Sequence, residues 1–401
     1  MIYNDFHGKK LSLLGFGTMR LPLIPGGTTA DIDQEQVDKM VAYAMEHGVN
    51  YFDTAYPYHG SMSEIAIGKS LKAYPRESFY LADKFPGYQS AGSYDPAGVF
   101  EDQLKKCGVD YFDFYLMHNV NEHSIRTYKN EKWRIVDYFI EQKRLGRIKH
   151  LGFSCHGGVE NIRDFLDAFG EHMEFCQIQL NYMDWSLQDA KGKYELLTER
   201  GIPVWVMEPV RGGKLADLPA HDAERLNALR PGESSASWGF RWLQGLPNVK
   251  MILSGMSAFD QMVDNVKTFE TRRPLSEEEN ALLYEIADEL KNAVPCTACR
   301  YCCAGCPKQL DIPTLISLYN NIRLATNLNL RMRVDALDRD KLPNACIGCG
   351  KCRAVCPQGI DVPALMKKIP AVFDSLPNLD EVSLQQREAQ DKVKAQFQQA
   401  E

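Results

Sequence analysis

Cysteine is scarce in the first 295 residues, which contain only Cys107, Cys155 and Cys176. The other nine of the twelve cysteines lie between Cys296 and Cys356. A secreted disulfide-bonded protein would spread its cysteines over the whole chain. The N-terminus, MIYNDFHGKKLSLLGF, has neither the charged start nor the long apolar stretch of a signal peptide. We therefore expect a cytoplasmic protein whose clustered cysteines bind metal in a reducing compartment.

Other features are also missing. The formal net charge is −7, so the chain lacks the excess of Lys and Arg that a nucleic-acid partner requires. No apolar run approaches the ~20 residues of a membrane-spanning helix, and we expect no membrane contact. No GxGxxG follows an early strand, which disfavours a Rossmann domain. With 401 residues, 44% of them hydrophobic and 25% charged, the chain is predicted to form two or three globular domains.

The first two thirds of the chain alternate strand-like segments with amphipathic segments of helical period. Gly48, Gly146 and Gly201 end three of the helical segments, because glycine accepts the left-handed conformation at a helix end. The strand candidates are LSLLGFGT, NYFDTAYP, SFYLADKF, YFDFYLMHN, IKHLGFSC, FCQIQLNY, IPVWVMEP and VKMILSGM. Eight alternations predict the α/β class and a closed (β/α)8 TIM barrel.

We expect four parts along the chain: the barrel in residues 1–273, a bridging helix in 274–294, a second domain in 295–376 and a charged tail in 377–401. The second domain contains two cysteine motifs separated by a segment of largely helical pattern, which predicts a mainly α-helical, ferredoxin-like domain. Both motifs continue as CP, two residues, and then Leu/Ile-Asp-Ile/Val-Pro, so they form an internal repeat. The tail has few apolar residues and is predicted to be an exposed helix or a frayed end.

The two motifs, CTACRYCCAGCP and CIGCGKCRAVCP, share the form C-x2-C-x2-C-x3-C-P. In two-cluster ferredoxins of this pattern, three cysteines bind one [4Fe–4S] cluster and the fourth, before the proline, binds the other cluster. One cluster is then assigned Cys296, Cys299, Cys302 and Cys356, and the other Cys346, Cys349, Cys352 and Cys306. Cys303 fits no ligand position and is interpreted as a small buried hydrophobe. The alternative is a structural zinc site, which needs only four tetrahedral thiolates.

Polar residues follow three neighbouring strands of the predicted barrel, at the C-terminal face where barrel enzymes carry out their chemistry. Asp53 and Tyr58 follow the second strand, Lys84 ends the third and His118 ends the fourth. A Tyr hydroxyl has an unperturbed pKa near 10, which a nearby Lys lowers, while an Asp pairs with that Lys. The phenol can then protonate a carbonyl oxygen as hydride arrives at the carbon, with His118 orienting the carbonyl. Tyr56 is a rival for the role of acid.

Residues 10–270 resemble the aldo-keto reductase family, whose motif DTAxxYGxxE(x)nG corresponds to DTAYPYHGSMSEIAIG in this chain. The similarity extends to GFGTMR at the first strand, LGFS at the fifth, QIQLNY at the sixth, EPVRGGKL at the seventh and DNV after the eighth. With the C-terminal motifs, the chain resembles the iron–sulfur-containing branch of that family. The resemblance implies reduction of a small-molecule carbonyl substrate by NAD(P)H, with Asp53, Tyr58, Lys84 and His118 as the catalytic residues.

The resemblance also implies a nucleotide site at the barrel mouth. Ser154 and Gln177 would bond the nicotinamide carboxamide, and the loop Pro209–Leu215 would cover the pyrophosphate. Together with these two side chains, the implied cofactor-binding residues are Gly17, Thr18, Met19, Met207, Pro209, Val210, Gly212, Leu215, Ser254, Gly255, Gln261 and Asn265.

The chain departs from the family pattern at three positions of that site. Cys155 stands where the family commonly has Asn, and Met207 stands where an aromatic ring often stacks on the nicotinamide. Gln261 occupies the position where NADP-preferring members often carry an Arg for the 2′-phosphate. Loss of that Arg removes a bidentate phosphate contact, so the choice between NADP and NAD stays open. Arg211 and Lys214 are nearby cations that could replace it.

Two cofactors of different electron count meet in this chain. Nicotinamide gives two electrons as hydride, whereas each [4Fe–4S] cluster accepts one, and a flavin normally stands between them. Three arrangements stay open: a flavin in the barrel mouth, one-electron substrate chemistry fed by the clusters, or clusters that only stabilise the fold or sense redox state. Our first hypothesis is a carbonyl reductase linked to a ferredoxin- or flavodoxin-like partner. The alternative is a nucleotide-binding electron-transfer or redox-sensing subunit without carbonyl turnover.

Overall fold

The computed structural model describes residues 1–89, 93–291, 294, 296, 299–324, 326–356, 358–379, 381–382, 384–385 and 387–390. Pro357 of the second cysteine motif lies outside the described residues. The part of the predicted tail from residue 391 onward also lies outside them. None of the helices in the described part of the chain is long and apolar enough to cross a membrane.

The described residues form ten strands, and all eight sequence-predicted strands are among them. They are β1 Tyr3–Phe6, β2 Lys9–Ser12, β3 Leu14–Gly17, β4 Tyr51–Asp53, β5 Tyr80–Phe85, β6 Phe112–Val120, β7 Ile148–Cys155, β8 Cys176–Gln179, β9 Val204–Met207 and β10 Val249–Ser254. Strands β3 to β10 are parallel and close into a barrel in sequential order, with β10 beside β3. The predicted (β/α)8 barrel is therefore confirmed.

In the part of the chain that the structure describes, twelve α-helices belong to the barrel and its C-terminal connection. They are α1 Gln34–Glu46, α2 Ser63–Leu71, α3 Pro96–Cys107, α4 Ile125–Tyr128, α5 Ile135–Arg144, α6 Val159–Phe169, α7 Asp184–Leu187, α8 Ala190–Glu199, α9 Ala220–Leu229, α10 Ser235–Gln244, α11 Phe259–Thr268 and α12 Glu277–Lys291. The local sequence explains the ends of α1, because Asp33 accepts a hydrogen bond from Gln36 N and Gly48 adopts φ 85° just beyond it.

The antiparallel hairpin β1–β2 was not predicted and lies at the N-terminal end of the barrel. Phe6 and Leu11 from the hairpin pack into the barrel interior, where the Phe6 ring lies 4.9 Å from Trp205 and 5.7 Å from Phe114. The interior is therefore filled at this end by large side chains. The opposite, C-terminal end carries the polar strand ends.

The C-terminal module is helical, as expected. Its helices are α13 Tyr301–Ala304, α14 Ile312–Leu324, α15 Leu328–Asp335, α16 Lys351–Ala354 and α17 Val362–Asp374. Leu315 and Ile316 of α14 share a core with Leu365 and Ile369 of α17, separate from the barrel core. The module also contacts the barrel directly, since Asn321 Nδ2 donates a hydrogen bond to Leu187 O at 3.3 Å.

The packing of α2 on α3 generates a stability prediction. A Cβ added at Gly68 would lie 2.6 Å from Cys107 O and 2.8 Å from its carbonyl carbon, and these backbone atoms cannot move aside cheaply. We expect Gly68→Ala to destabilise the barrel by about 1–3 kcal/mol, since overpacking exceeds the gain in helix propensity. The shift of the thermal unfolding midpoint measures this.

Gly170→Ala is the matched control, because Gly170 has φ −58° and a Cβ there would meet only Leu166, at 3.6 Å. Its midpoint should stay unchanged or rise. Equal midpoints for the two variants would contradict the close approach of α2 to α3.

Candidate functional site

The ammonium group of Lys84 is held at the C-terminal end of the barrel by two oxygens from the neighbouring strand and its loop. Lys84 Nζ lies 2.5 Å from Asp53 Oδ1 and 2.6 Å from Thr54 O, and the Lys84 side chain is fully buried. Parallel pairing of β4 with β5 aligns Asp53 with Ala82, which brings the two charges together. Burial raises the pKa of Asp53 although the Lys84 charge opposes that rise. Asp53 Oδ2 has no hydrogen-bond partner.

Tyr58 lies beside this ion pair on a tight turn, Tyr58–Ser61. Lys84 Nζ lies 4.9 Å from the centre of the Tyr58 ring. His59 and Gly60 adopt left-handed φ values of 52° and 60°, which is unusual for a histidine. His59 offsets that strain by accepting from Leu21 N at 3.1 Å and by bonding Thr29 O at 2.7 Å through its other ring nitrogen. The turn that positions Tyr58 is thus tied to two neighbouring loops.

The direction of the Tyr58 pKa differs from the sequence-based expectation. Burial raises the pKa of Tyr58 well above 10, and the carboxylates of Asp53, Asp83 and Glu208 raise it further. The charge of Lys84, 4.9 Å from the ring centre, does not reverse this rise of the pKa. Tyr58 therefore holds its proton throughout the physiological range, which suits a proton donor.

His118, near the end of β6, completes the predicted set. Its ring centre lies 5.9 Å from that of Tyr58 and 5.1 Å from that of Tyr88, with both pairs edge-on. Burial, together with the Lys84 charge and His156, holds the pKa of His118 well below its usual value of 6.5. The imidazole is therefore neutral at physiological pH, and its buried Nδ1 has no hydrogen-bond partner. A neutral imidazole can orient a carbonyl group without carrying charge.

Tyr56, the rival acid, faces elsewhere. Lys106 Nζ lies 4.1 Å from the centre of its ring, in a buried charged cluster formed with Glu64 and Asp102. Of the two tyrosines, Tyr58 is the one that contacts both Lys84 and His118.

Ser154 and Gln177, the expected partners of a carboxamide, are paired side by side on β7 and β8. Ser154 Oγ accepts a hydrogen bond from Asn119 N at 2.8 Å, which leaves its own O–H free to donate. Gln177 Oε1 is buried and has no partner. One spare donor and one spare acceptor fit the carbonyl and amino groups of a nicotinamide carboxamide. Met207, at the end of β9, is partly buried beside them.

The loop Pro209–Leu215 turns through two left-handed glycines, Gly212 at φ 66° and Gly213 at φ 100°. Lys214 is exposed and, with these glycines and Asp217, lines an open cavity. Pro209 and Leu215 are buried, and Val210 is partly buried.

Arg211, the other cation of that loop, has its charge neutralised by Asp184. Arg211 is buried and its Nη1 lies 2.6 Å from Asp184 Oδ1, so it is a poor replacement for the missing phosphate-binding Arg. Lys214 is therefore the remaining candidate of the two for binding a 2′-phosphate.

The expected adenosine end is assembled near the end of β10. Asn265 Nδ2 donates to Ser254 Oγ at 3.0 Å, and Gly17 approaches the backbone of Ser254 and Gly255. Gln261 is exposed, and its Oε1 accepts from Ser257 N at 2.8 Å.

Thr18 and Met19 of the first-strand motif have different positions. The Thr18 hydroxyl is buried, donates to Asp53 O at 3.0 Å and accepts from Ser63 Oγ at 2.6 Å. These two bonds hold both ends of the segment from Asp53 to Ser63, which carries Tyr58. Met19 is 60% exposed.

Two residues of the mouth were missed by the sequence reasoning. Arg20 lies between the pyrophosphate loop and the adenosine end, since a Cβ at Gly212 would lie 3.0 Å from its Nη2 and one at Gly255 would lie 3.3 Å from its Cβ. Arg20 is the last residue of the GFGTMR motif, and this motif is the sequence feature that could have indicated it. Tyr88, in the loop after β5, contacts His118, and no sequence pattern pointed to it.

The eight cysteines predicted as ligands line two cavities, with four of these cysteines in each. The lining of one includes Cys296, Cys299, Cys302 and Cys356. The lining of the other includes Cys306, Cys346, Cys349 and Cys352. Each cavity takes three cysteines from one motif and one from the other, and Cys303 lines neither. The structure thus brings together the two predicted groups.

The crossed grouping fits two clusters better than the zinc alternative. A zinc site built from one C-x2-C pair of each motif would take two cysteines from each motif, whereas each cavity takes three from one motif and one from the other. Asp311 and Asp361, which occupy equivalent positions in the two repeats, each pair with an arginine of the preceding motif, Asp311 with Arg300 and Asp361 with Arg353, both at 3.1 Å.

Comparison with known protein families gives two matches. A model of the Aldo/keto reductase family matches residues 13–288, and a model of the 4Fe-4S dicluster domain matches residues 295–360.

Similar curated proteins and solved structures agree with these matches. The NADH-specific methylglyoxal reductase of Escherichia coli (strain K12) is 24% identical over 327 residues, which cover 70% of this chain and 96% of that protein. The probable aldo-keto reductase 1 of Glycine max is 29% identical over 216 residues, covering 51% and 58%. A thermostable aldo-keto reductase structure superposes with a TM-score of 0.57 at 24% identity, covering 71% of this chain and 100% of that one. An aldo-keto reductase from Klebsiella pneumoniae in complex with NADPH gives 0.57 at 19% identity, covering 72% and 96%.

Histidine burial at the mouth predicts a loss of stability in mild acid. Burial, with Lys193 and Arg333 nearby, lowers the pKa of His156 to about 3. The unfolded chain binds this proton below pH ~6.5 and the folded chain does not, so stability falls as the pH drops below 6.5. His156→Gln should remove up to about 2 kcal/mol of the loss between pH 7 and pH 5. Thermal melts at a series of pH values measure the slope.

The exposed His221 supplies the control, since His221→Gln should leave the pH dependence unchanged. A slope for His156→Gln equal to that of the parent chain would show that His156 is not held neutral.

Proposed function

The chain belongs to the aldo/keto reductase family and carries a 4Fe-4S dicluster domain, and we propose that its barrel reduces a small-molecule carbonyl with NAD(P)H, using Tyr58 as the proton donor. The observation that carries this proposal is the meeting of Tyr58, His118 and the Lys84–Asp53 pair at one barrel mouth. The spare hydrogen-bonding capacity of Ser154 and Gln177 beside them supports nicotinamide as the cofactor.

The residues divide the work as follows. Bound NAD(P)H supplies the hydride that forms the new C–H bond at the carbonyl carbon. The carbonyl oxygen gains negative charge as its π bond breaks, and the Tyr58 hydroxyl donates the proton that completes the alcohol. The high pKa of Tyr58 keeps that proton in place until the oxygen becomes basic. Lys84 stabilises the tyrosinate that remains, and neutral His118 orients the carbonyl.

The relatives support the cofactor class without choosing between the two nicotinamides. The Escherichia coli relative is NADH-specific by its name, and the Klebsiella pneumoniae structure contains NADPH. In this chain, exposed Arg20 lies next to the proposed pyrophosphate loop and exposed Lys214 lies within it. Gln261 offers no charge for a 2′-phosphate. We propose that either nucleotide is accepted.

The first prediction for this function compares two tyrosines at the mouth. Tyr58→Phe should lower kcat for carbonyl reduction by 10²-fold or more, because a general acid contributes roughly 10²–10⁴-fold. Tyr88→Phe, which keeps the ring against His118, should change kcat by less than about tenfold. Anaerobic turnover of NADH and NADPH with aldehydes, quinones and diketones is the measurement.

Nucleotide binding by each variant, followed by fluorescence, serves as the control for folding. Full activity in Tyr58→Phe would exclude the assigned acid and favour a nucleotide-binding subunit without turnover.

For the C-terminal module we propose two [4Fe–4S] clusters, one in each four-cysteine cavity. The clusters would supply one-electron transfer. Exposed apolar side chains lie within or beside the cysteine motifs, with Tyr301 65% and Ile347 60% exposed, and Lys308 and Lys351 line the cavity next to Ile347. Exposed apolar side chains with basic residues near one of them suit an acidic ferredoxin- or flavodoxin-like partner. A flavin between nicotinamide and clusters would resolve their difference in electron count.

The cluster assignment predicts the iron content of cysteine variants. The anaerobically reconstituted chain should hold roughly eight iron atoms, four per cluster. Cys306→Ala should lose the cluster of the second motif and bind about half the iron, although Cys306 belongs to the first motif. Iron and sulfide analysis with electron paramagnetic resonance of the reduced protein measures both clusters.

Cys303→Ala is the matched control, because Cys303 is a neighbour of the same motif that lines neither cavity. Equal iron loss in both variants would overturn the assignment. Titration with NAD(P)H, with and without added flavin, then reports whether electrons reach the clusters.

A further inference from the structure

Helix α15 of the C-terminal module packs on the barrel segment that follows His118. Asn119 Nδ2 donates to Asn329 Oδ1 at 2.7 Å, and Asn121 Nδ2 donates to Met332 Sδ at 3.4 Å. These bonds join residues that lie 210 and 211 positions apart in the sequence. The module therefore contacts the barrel at the residue next to a proposed catalytic side chain.

Strand β6 departs from regular geometry at this contact. Its parallel pairing with β7 shifts register between Met117 and Val120. Within that shift, Asn119 adopts φ 56°, a left-handed value that Asn tolerates better than most residues with a side chain. A left-handed residue at a register shift is not held by the regular strand ladder, so it depends on other contacts to keep its conformation.

Those contacts involve every hydrogen-bonding atom of Asn119. Its N–H donates to Ser154 Oγ at 2.8 Å, its carbonyl oxygen accepts from Ser124 Oγ at 2.7 Å, and its Oδ1 accepts from Asn121 Nδ2 at 3.0 Å. The fourth atom, Nδ2, donates to Asn329 of the module. The module thus holds one end of a buried network whose other end is the Ser154 hydroxyl.

Ser154 is the proposed partner of the nicotinamide carboxamide. Because the N–H of Asn119 occupies an acceptor position of Ser154 Oγ, the Ser154 O–H points away from Asn119 and keeps a fixed direction. The neighbouring strand places Gln177 beside Ser154, with its buried Oε1 unpaired. If Asn119 moved, the Ser154 hydroxyl would be free to rotate, and the carboxamide would lose a donor that is aimed before it binds.

We propose that Asn329 is a positioning residue for the nicotinamide end of the cofactor site, acting through Asn119 on Ser154. This inference rests on the proposed NAD(P)H-dependent function and deepens it, because it makes the C-terminal module a part of the barrel's cofactor site. Asn329 keeps the left-handed conformation of Asn119, and that conformation sets the direction of the Ser154 hydroxyl.

The test separates the nicotinamide end of the nucleotide from the rest of it. NAD⁺ and ADP-ribose differ by the nicotinamide ring, as do NADP⁺ and 2′-phospho-ADP-ribose. In calorimetric titrations of the iron-loaded full chain, Asn329→Ala should weaken the binding of NAD⁺ and NADP⁺ by about three- to tenfold, the usual effect of one lost hydrogen bond. Binding of the two ribose compounds should stay unchanged, because neither has a carboxamide.

Two further variants complete the comparison. Asn329→Asp keeps an oxygen that accepts from Asn119 Nδ2, so it should bind all four compounds as the parent chain does. Arg331→Ala is the matched control, since Arg331 lies on the same helix and its Nε donates to Asp335 of that helix at 2.8 Å. It should also leave the four affinities unchanged.

The pattern of affinities decides the inference. Weaker binding of NAD⁺ and NADP⁺ alone in Asn329→Ala, restored in Asn329→Asp, supports it even if no carbonyl compound is turned over. Equal weakening of all four compounds would indicate a merely structural role and overturn it, and so would unchanged binding of NAD⁺ and NADP⁺. A parent chain that binds these two no more tightly than the ribose compounds would overturn it as well, while carbonyl turnover by that chain would leave the reductase function standing.

Discussion

The buried ion pair between Lys84 and Asp53 fixes the geometry on which the barrel mouth depends. Removing two charges from water costs several kcal/mol per ion unless each finds close partners. Lys84 finds Asp53 Oδ1 and Thr54 O, both at the end of the neighbouring strand, so the pair forms only when β4 and β5 keep their parallel register. The same ammonium faces the Tyr58 ring and depresses the pKa of His118. The strand register, the surroundings of the Tyr58 ring and part of the shift of the His118 pKa, which burial dominates, therefore depend on this contact.

Around that contact the fold leaves several buried polar atoms without partners. Asp53 Oδ2, His118 Nδ1 and Gln177 Oε1 all lie at the strand ends of one barrel face. Each buried, unsatisfied group costs about 1–3 kcal/mol, which other contacts of the fold must offset. Rigid strands hold these atoms apart and prevent them from satisfying one another. A ligand with donors and acceptors in matching positions recovers this free energy, and the mouth is thereby prepared before anything binds.

The sequence predicts the parts of this molecule that follow from local pattern. Eight strands were found because short β-branched runs alternate with helical periods, and the two cysteine groups because their spacing is specific. The hairpin β1–β2 was missed because Leu11 and Leu14 belong to one apolar run that the structure divides between two sheets. The raised pKa of Tyr58 could not be read from the sequence, since it arises mainly from burial, to which Asp53, Asp83 of β5 and Glu208 after β9 add. The contact between Asn119 and Asn329 could not be predicted from local sequence pattern either, because the two residues lie 210 positions apart.

The position of α15 changes how the clusters can matter to the barrel. Helix α15 lies between the two cysteine motifs, so each end of its segment is anchored by cysteines of the proposed clusters, Cys306 before it and Cys346 after it. Those two cysteines line the same cavity, and a cluster bound there would close the segment into a loop. Closing the loop would hold Asn329 and Arg333 against the residues that follow His118. By this route, clusters bound there would act on the barrel through the position of a helix, and this effect would need no electron to pass between a one-electron cluster and a two-electron nicotinamide.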